Sequence, residues 1–138
     1  MHLYNYIFDE KTVRLLNKIL YVEDQKDIQL IAKYALESIG KFELNICNNG
    51  QEALEIIKTF SPDLILLDVM MPVMDGPTTL EKIKQMDEFK DIPVIFMTAK
   101  ILPTEIHELI ESGAAGVISK PFDPVSLSKE IQAIYNKA

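Results

Sequence analysis

The 138-residue sequence has one cysteine, Cys47, and two histidines, His2 and His107, which are far apart in the chain. A single cysteine excludes an intrachain disulfide and a cysteine zinc cluster, because both need more than one thiol. Neither histidine lies in a motif with metal-ligand spacing, and Cys47 is interpreted as a small apolar residue on a strand. The chain therefore carries no signature of a disulfide scaffold or of a zinc site.

Positive charge and long apolar runs are also scarce. The chain has 14 lysines and arginines against 21 acidic residues, a net charge of −7. An acidic domain repels phosphate backbones, so we expect no direct nucleic-acid binding, whereas a cation or a basic protein surface is a suitable partner. No apolar run reaches the ~20 residues of a membrane span, and residues 1–18 do not resemble a signal peptide. We therefore expect a cytoplasmic protein without membrane association.

What the chain does have is a regular alternation of apolar runs. β-prone runs occupy residues 18–22, 42–47, 64–67, 93–97 and 116–119. Between and after them, apolar residues recur at spacings of three and four, which is the pattern of one helix face. We expect Gly40 and the Ser61-Pro62 pair to end the first two helices. Asp123-Pro124 is expected to begin the fifth.

The pattern predicts the fold class. Runs 64–67 and 93–97 are apolar without alternation, which is typical of parallel strands covered by helices on both faces. Alternating strands and helices in a chain of this length predict one α/β domain, a doubly wound sandwich. With right-handed crossovers, the common solution for five units is the flavodoxin-like (βα)5 fold, a five-stranded parallel sheet of order 2-1-3-4-5. Ligands bind such sheets at the carboxyl ends of the strands, beside the switch between the first and third strands.

Polar residues stand where the apolar runs end. Glu23 and Asp24 follow the first run, Asp68 the third, Thr98 the fourth and Lys120 the fifth. Because these ends meet at one edge of a parallel sheet, we expect the side chains to lie close together. Each alone has an ordinary explanation, such as a turn cap or a solvated loop residue. Three clustered acids are harder to explain, because they repel one another and raise their own pKa values.

A hard cation would relieve this repulsion. Mg²⁺ suits a site with few carboxylates and room for water, because it stays octahedral and partly hydrated. The cation and Lys120 could neutralise phosphoryl oxygens, and the Thr98 hydroxyl could donate a hydrogen bond to another. Asp68 would then be the carboxylate nucleophile. The strand ends therefore predict a magnesium-dependent phosphoryl-transfer site.

The motifs "LYVEDQ", "LILLDVMMPVMDG", "VIFMTA" and "GVISKPF" occur in this order along the chain. In these motifs the sequence resembles the receiver domain of two-component response regulators. The resemblance implies that a sensor histidine kinase or a histidine phosphotransfer protein phosphorylates Asp68 with Mg²⁺ as the cofactor. The domain would then switch conformation and act on a downstream protein. Such a receiver is not a metabolic enzyme and catalyses only its own phosphorylation and dephosphorylation.

The same resemblance assigns the remaining site residues. The implied metal ligands are two acids, the phosphoacceptor and one backbone carbonyl, namely Glu23, Asp24, Asp68 and Met70. Thr98 and Lys120 match the hydroxyl and the lysine that serve the phosphoryl group. The Lys120-Pro121 bond is expected to be cis, a form that proline tolerates.

Two stretches depart from the family pattern. The family often has an aromatic residue three positions before the lysine, where this chain has Val117. This puts the usual coupled motion of hydroxyl and aromatic residue in doubt. Residues 18–138 are expected to form the receiver domain, and residues 1–17 an N-terminal extension. The extension is apolar enough to pack on the domain or a partner, and a partly disordered tail is the alternative.

Other functions are less consistent with the residues. An aspartate-nucleophile phosphatase needs an acid two residues after the nucleophile, where this chain has Met70, and a methionine does no acid–base work. The chain has no G-x-x-x-x-G-K-[ST] phosphate loop. In a flavin-binding module, the acidic pair after the first strand would repel a cofactor phosphate. The retained Asp68, Thr98 and Lys120 argue against a degenerate receiver. Both a free-standing regulator and a receiver belonging to a larger protein stay open.

Overall fold

The computed structural model describes residues 15–99 and 102–138. Within them, one parallel sheet contains the strands β1 (Lys18–Val22), β2 (Glu43–Cys47), β3 (Leu64–Asp68), β4 (Val94–Thr98) and β5 (Gly116–Ser119). The helices are α1 (Lys26–Lys33, continued by the π-helical segment Tyr34–Ile39), α2 (Gly50–Phe60), α3 (Gly76–Lys84), α4 (Pro103–Glu111) and α5 (Leu127–Lys137). Each strand lies within one residue of its predicted bounds. Residues 1–14 of the predicted N-terminal extension lie outside the described part.

The strand order is β2-β1-β3-β4-β5, all parallel. This confirms the predicted flavodoxin-like order 2-1-3-4-5. The strands also end in register: Val22 lies opposite both Cys47 and Leu67, and Asp68 lies opposite Met97. The carboxyl ends of the strands therefore form one edge, and the order reverses between β1 and β3 at that edge.

Helices cover both faces of the sheet, as the uniformly apolar strands predict. On one face, buried strand side chains pack with α1 and α5, including Ala35, Leu36, Leu127 and Ile131. On the other face they pack with α2 and α3, including Ala53, Ile57, Leu80 and Ile83. All residues of β3 and β4 are buried. Burial on both sides leaves these central strands little freedom to move, so the residues at their ends are held firmly.

The first helix differs from its prediction in two respects. The apolar residues that recur at spacings of three and four in this helix include Ile31. A core position is expected for them, but the Ile31 side chain is 48% exposed, and the buried residues are the narrower set around Ala32 and Leu36. Gly40 does end the helix, yet its φ is −80°, and the left-handed residue is Lys41 with φ 62°. Gly40 is needed for space instead, because a Cβ there would lie 2.3 Å from the Ser128 hydroxyl of α5.

The fifth helix begins later than predicted. Asp123-Pro124 starts a turn, and α5 begins at Leu127. The Asp123 carbonyl accepts the backbone N–H groups of Ser126 and Leu127, and its carboxylate accepts that of Val125. Asp123 thus accepts N–H groups of the turn before α5 and of the first residue of α5. An N-cap residue satisfies free N–H groups in the same way, but Asp123 does so from a position one turn before the helix.

Helix α4 is the least embedded of the helices in the described part of the chain. It has no buried residue, whereas α2, α3 and α5 each bury at least three. Leu109 makes its contact with the core cluster from a partly buried position. Among the described residues, no helix combines the length and the apolar character that crossing a membrane requires.

Candidate functional site

The carboxyl edge of the sheet gathers the polar residues that the sequence pattern singled out. Asp68 and Thr98 are the last residues of β3 and β4 and are 6% and 5% exposed. Glu23 directly follows β1 and is completely buried. A charged or polar group at such depth is costly unless it is paired. The partners of these groups therefore decide what the edge can do.

Three carboxylates converge at this edge. Glu23, Asp24 and Asp68 each offer one oxygen, and the three oxygens all lie within 4.8 Å of one another. Asp24 is half-buried, whereas the other two are buried. Oxygen atoms at this spacing fit the donor set of a hard divalent cation, and the half-buried side leaves access for water ligands. The residues present are therefore suited to Mg²⁺, as the sequence predicted.

One ammonium serves two of the three carboxylates. Lys120 Nζ lies 2.7 Å from Oε1 of Glu23 and 3.0 Å from Oδ1 of Asp68. The lysine follows β5, and its backbone N–H donates to the Thr98 carbonyl at 2.9 Å, which joins the ends of β4 and β5. The Lys120-Pro121 bond is cis, as expected. The structure thus brings Lys120 into the acid cluster, where it offsets only part of the negative charge.

Glu23 has two further hydrogen-bond partners that were not predicted from the sequence. The Tyr21 hydroxyl donates to Oε1 at 3.3 Å, and the backbone N–H of Gln25 donates to Oε2 at 3.2 Å. With Lys120 also on Oε1, both carboxylate oxygens are engaged by the protein. A signal for Tyr21 was present, because residues two apart on a strand point to the same face. Tyr21 is the hydroxyl-bearing residue two positions before Glu23, in a strand whose other residues after Lys18 are aliphatic.

Burial and charge shift the ionisation of this cluster. Burial raises the pKa of Asp68 to about 6, with the Lys120 hydrogen bond opposing the rise and the charges of Glu23 and Asp24 adding to it. Burial alone would lower the pKa of Lys120, but hydrogen bonds and charges from Glu23 and Asp68 outweigh it and raise that pKa. Burial and the nearby negative charges also raise the pKa of Tyr21, which keeps the phenol protonated as a donor. With one ammonium for three carboxylates, the cluster has a surplus of negative charge.

The loop from β3 to α3 is fitted closely around Asp68. The Gly76 N–H donates to the Val69 carbonyl at 2.8 Å. A Cβ at Gly76 would lie 2.4 Å from the Asp68 carbonyl, so glycine is required by close approach. Asp75 caps α3 by accepting the Thr78 N–H at 2.8 Å, which fixes the start of the helix. In the loop between Asp68 and Asp75, Val73 has a φ of 72°, a strained value for a β-branched residue.

Two predicted site residues lie beside the cluster. Thr98 and Met70 help to line a cavity of about 410 Å³ between the β3–α3 loop and α4. The Met70 side chain is 65% exposed, so its fit to the site depends on its backbone carbonyl. The structure therefore brings together Glu23, Asp24, Asp68 and Lys120. The roles of Thr98 and of the Met70 carbonyl stay predictions.

Comparison with known proteins identifies the family. The family described as "Response regulator receiver domain" matches residues 19–132. A probable transcriptional regulator, ycf29 of Porphyra purpurea, is 36% identical over 83% of this chain and 56% of its own length. The transcriptional regulatory protein SrrA of Staphylococcus aureus is 38% identical over 88% of this chain and 48% of its own length. The chain thus spans about half the length of the curated relatives it matches.

Solved structures give the same result for the fold. The chemotaxis protein CheY4 of Vibrio cholerae is 29% identical, with a TM-score of 0.80 over 87% of this chain and 99% of its own. The receiver domain of a signal transduction histidine kinase from Syntrophus aciditrophicus is 32% identical, with a TM-score of 0.76 over 88% and 92% of the two chains. The predicted resemblance is confirmed, and the chain belongs to the response regulator receiver domain family.

Proposed function

We propose that Asp68 accepts a phosphoryl group, with Mg²⁺ bound, from a phosphohistidine of a sensor histidine kinase or a histidine phosphotransfer protein. The observation that carries the proposal is the cluster of three carboxylates at the strand ends, two of which share the Lys120 ammonium while the half-buried third faces solvent. A structural role would favour full neutralisation, whereas this cluster has a surplus of negative charge. That surplus suits a cation and an incoming phosphoryl group.

The transfer is a displacement at phosphorus. The bond from phosphorus to the imidazole nitrogen breaks as a bond to a carboxylate oxygen of Asp68 forms, so the leaving group is a neutral histidine once it holds a proton. Glu23, Asp24, Asp68 and the Met70 carbonyl would hold Mg²⁺, which neutralises phosphoryl charge when bound. Lys120 already contacts Asp68 and would pair with one phosphoryl oxygen. The Thr98 hydroxyl would donate to another.

The chain is a signalling domain rather than a metabolic enzyme. Within that class, its own chemistry would be limited to gaining and losing the phosphoryl group on Asp68. The acyl phosphate would then draw Thr98 and Lys120 towards itself and favour one of two conformations of the domain. The weakly embedded α4, which lies beside Thr98, is the element best placed to respond. Because this chain has Val117 where the family often has an aromatic residue, the response would proceed without that aromatic partner.

A donor protein has an apolar surface available next to the site. Ile31 is 48% exposed and, with Phe122 and Pro121, lines a small cavity of about 90 Å³ that Lys120 also borders. Leu30 and Tyr34 extend this surface along α1 and are 71% and 60% exposed. A donor seated there would have its phosphohistidine at the mouth of the acid cluster, so we propose this surface as its contact.

The remaining partners follow from the charge and from the relatives. With a net charge of −7, the domain is proposed to act on a downstream protein without binding nucleic acid itself. Relatives carry titles of transcriptional regulators, and this chain spans about half their length. We propose that residues 18–138 form the receiver, that residues 1–17 are an extension to it, and that it works in the cytoplasm.

The test uses the purified chain, a small phosphodonor such as acetyl phosphate, and intact-mass analysis. The wild type should gain one phosphoryl group when Mg²⁺ is present and none after chelation. Asp68→Asn should gain none, because the amide keeps the shape and loses the nucleophile. Asp63→Asn is the matched control at the other end of β3 and should be phosphorylated normally. An unchanged adduct on Asp68→Asn would remove Asp68 from the mechanism.

A further inference from the structure

Gln29 on α1 joins the ends of two neighbouring strands through its side-chain amide. Its Nε2 donates to the backbone carbonyl of Glu23, which follows β1, and to Oδ1 of Asn48 at 3.0 Å, which follows β2. An amide nitrogen carries two hydrogens, so both donors are used. The two acceptors are oxygens, and only a group with two donors and no negative charge satisfies both.

The Asn48 end of this bridge is itself held in place. Its Oδ1 also accepts the Lys26 ammonium at 2.5 Å. Its backbone N–H and its Nδ2 both donate to Oε1 of Glu52 on α2, at 3.1 and 3.3 Å. Gln29 therefore anchors the Glu23 carbonyl to a part of the molecule that is fixed from several directions, and the bridge can transmit that rigidity.

The carbonyl of Glu23 belongs to the peptide that links Glu23 to Asp24. The N–H of Glu23 is also bonded, to the Cys47 carbonyl at 3.0 Å. In the described residues, no protein group donates a hydrogen bond to the Asp24 carboxylate, and no cation forms an ion pair with it. The direction of the Asp24 side chain is therefore set mainly by its backbone, and the Gln29 bond is what fixes the preceding peptide.

We propose that Gln29 is a positioning residue for the Mg²⁺ site: by holding the Glu23–Asp24 peptide it keeps the Asp24 carboxylate aimed at the ion. The inference rests on the metal site of the proposed function, and Gln29 itself does not touch the ion. Residues that orient ligands in this way typically change metal affinity about tenfold or more when they are replaced. Gln29 should therefore matter for binding and much less for the transfer step once the ion is bound.

The experiment compares Mg²⁺ titrations of the wild type and Gln29→Met, followed by NMR shifts of the Asp24 and Asp68 amides. Methionine keeps the length of the side chain and removes both donors without adding charge. The dissociation constant for Mg²⁺ should rise about tenfold. At saturating Mg²⁺, the phosphorylation rate with acetyl phosphate should stay within about twofold of wild type. Gln132→Met is the matched control, because the Gln132 side chain donates to Asn136 on the surface of α5, and it should leave both values unchanged.

Four outcomes overturn the inference or separate it from the proposed function. An unchanged Mg²⁺ affinity in folded Gln29→Met overturns it, as does a lower rate at saturating Mg²⁺ with unchanged affinity. If the wild type shows no Mg²⁺-dependent shifts, the metal site of the proposed function fails first. Should Gln29→Met not fold, Asn48→Ala decides, because it removes one acceptor of the bridge without substituting a residue of α1. It should weaken Mg²⁺ binding less than Gln29→Met, and no weakening counts against the inference.

Discussion

Strand β3 has an aspartate at each end, and the two carboxylates have very different hydrogen-bond partners. Asp63, just before the strand, accepts the backbone N–H groups of Asn17 and Lys18 at 3.0 and 2.8 Å on one carboxylate oxygen. Asp68, the last residue of the strand, competes with Glu23 for a single ammonium. Fixed backbone donors make Asp63 a structural group. The shortage of donors around Asp68 leaves it available for a cation and a phosphoryl group.

The largest loss of stability is expected at the Asp68 end of β3, when the Lys120 ammonium that Glu23 and Asp68 share is removed. Lys120→Ala leaves Glu23 buried beside Asp68 with one positive neighbour fewer. We expect a loss of about 3 kcal/mol in the free energy of unfolding, since a buried charge loses its partner. The fold should survive, because Lys120 lies at a strand end outside the apolar core.

The same variant should also lose the switch. Asp68 can still accept phosphate, but the conformational response should disappear, because a ligand shifts an equilibrium only through differential contacts. Amide shifts around Val117, with and without phosphodonor, provide the measurement. A complete wild-type shift pattern in Lys120→Ala would show that this lysine does not couple the chemistry to the signal.

Removing the carboxylate at the structural end should cost less. Asp63→Ala leaves the Asn17 and Lys18 N–H groups without their acceptor, and the free energy of unfolding should fall by about 2 kcal/mol. Phosphorylation of Asp68 should be retained at the wild-type level, because the change lies at the opposite edge of the sheet. Denaturant unfolding and the intact-mass assay measure the two effects. A variant that keeps full stability would contradict the structural role of Asp63.

Substituting the aspartate at the functional end should change stability in the opposite direction. The pKa of Asp68 is raised from 3.8 to about 6 in the folded protein. Between these values the folded state holds the proton more often than the unfolded state, so the free energy of unfolding falls as the pH rises. The penalty is complete above pH 6 and absent below pH 3.8. Lys120 opposes it and the charges of Glu23 and Asp24 increase it.

Asp68→Asn removes this penalty. At pH 7.5 without Mg²⁺ we expect the variant to be more stable than wild type by about 1–2 kcal/mol, a value reduced by solvent screening. The advantage should vanish as the pH falls towards 4. Denaturant unfolding across this range, with chelator present, measures the difference. A wild type whose stability relative to Asp68→Asn does not change with pH would contradict the raised pKa.

Some features of the site could be predicted from the sequence and others could not. The carboxylates at the carboxyl edge were predictable, because Glu23, Asp24 and Asp68 each end an apolar run and parallel strands bring such ends together. The strand order followed from the same alternation. The Gln29 bridge was not predictable, since a polar residue in the first turns of a helix gives the same pattern whether it faces solvent or a carbonyl.

Errors in the helices have a similar cause. Ile31 continues an apolar stripe at helical spacing, and the spacing does not distinguish a core position from an exposed contact surface. The start of α5 was placed too early because Asp123 satisfies N–H groups from a turn that precedes the helix. In each case the missing information is tertiary, namely which group lies across from the residue.

A final contrast concerns backbone strain on the two sides of β3. Ser61, two residues before Asp63, has a φ of 51° and ends α2, whereas Val73, in the loop after Asp68, has a φ of 72°. A left-handed conformation costs roughly 1–2 kcal/mol for a residue with a Cβ, and a β-branched side chain makes it worse. Val73 is 81% exposed, so its side chain gains little stabilisation from packing.

Val73→Gly should therefore stabilise the domain by about 1 kcal/mol, after the entropy that glycine loses on folding is subtracted. Ser61→Gly should gain less, about 0.5 kcal/mol, because serine is not branched at Cβ. Thermal unfolding of both variants, without phosphodonor, measures this order. A destabilised Val73→Gly would mean that the strained valine makes a contact that the loop depends on, and the strain would then belong to the site.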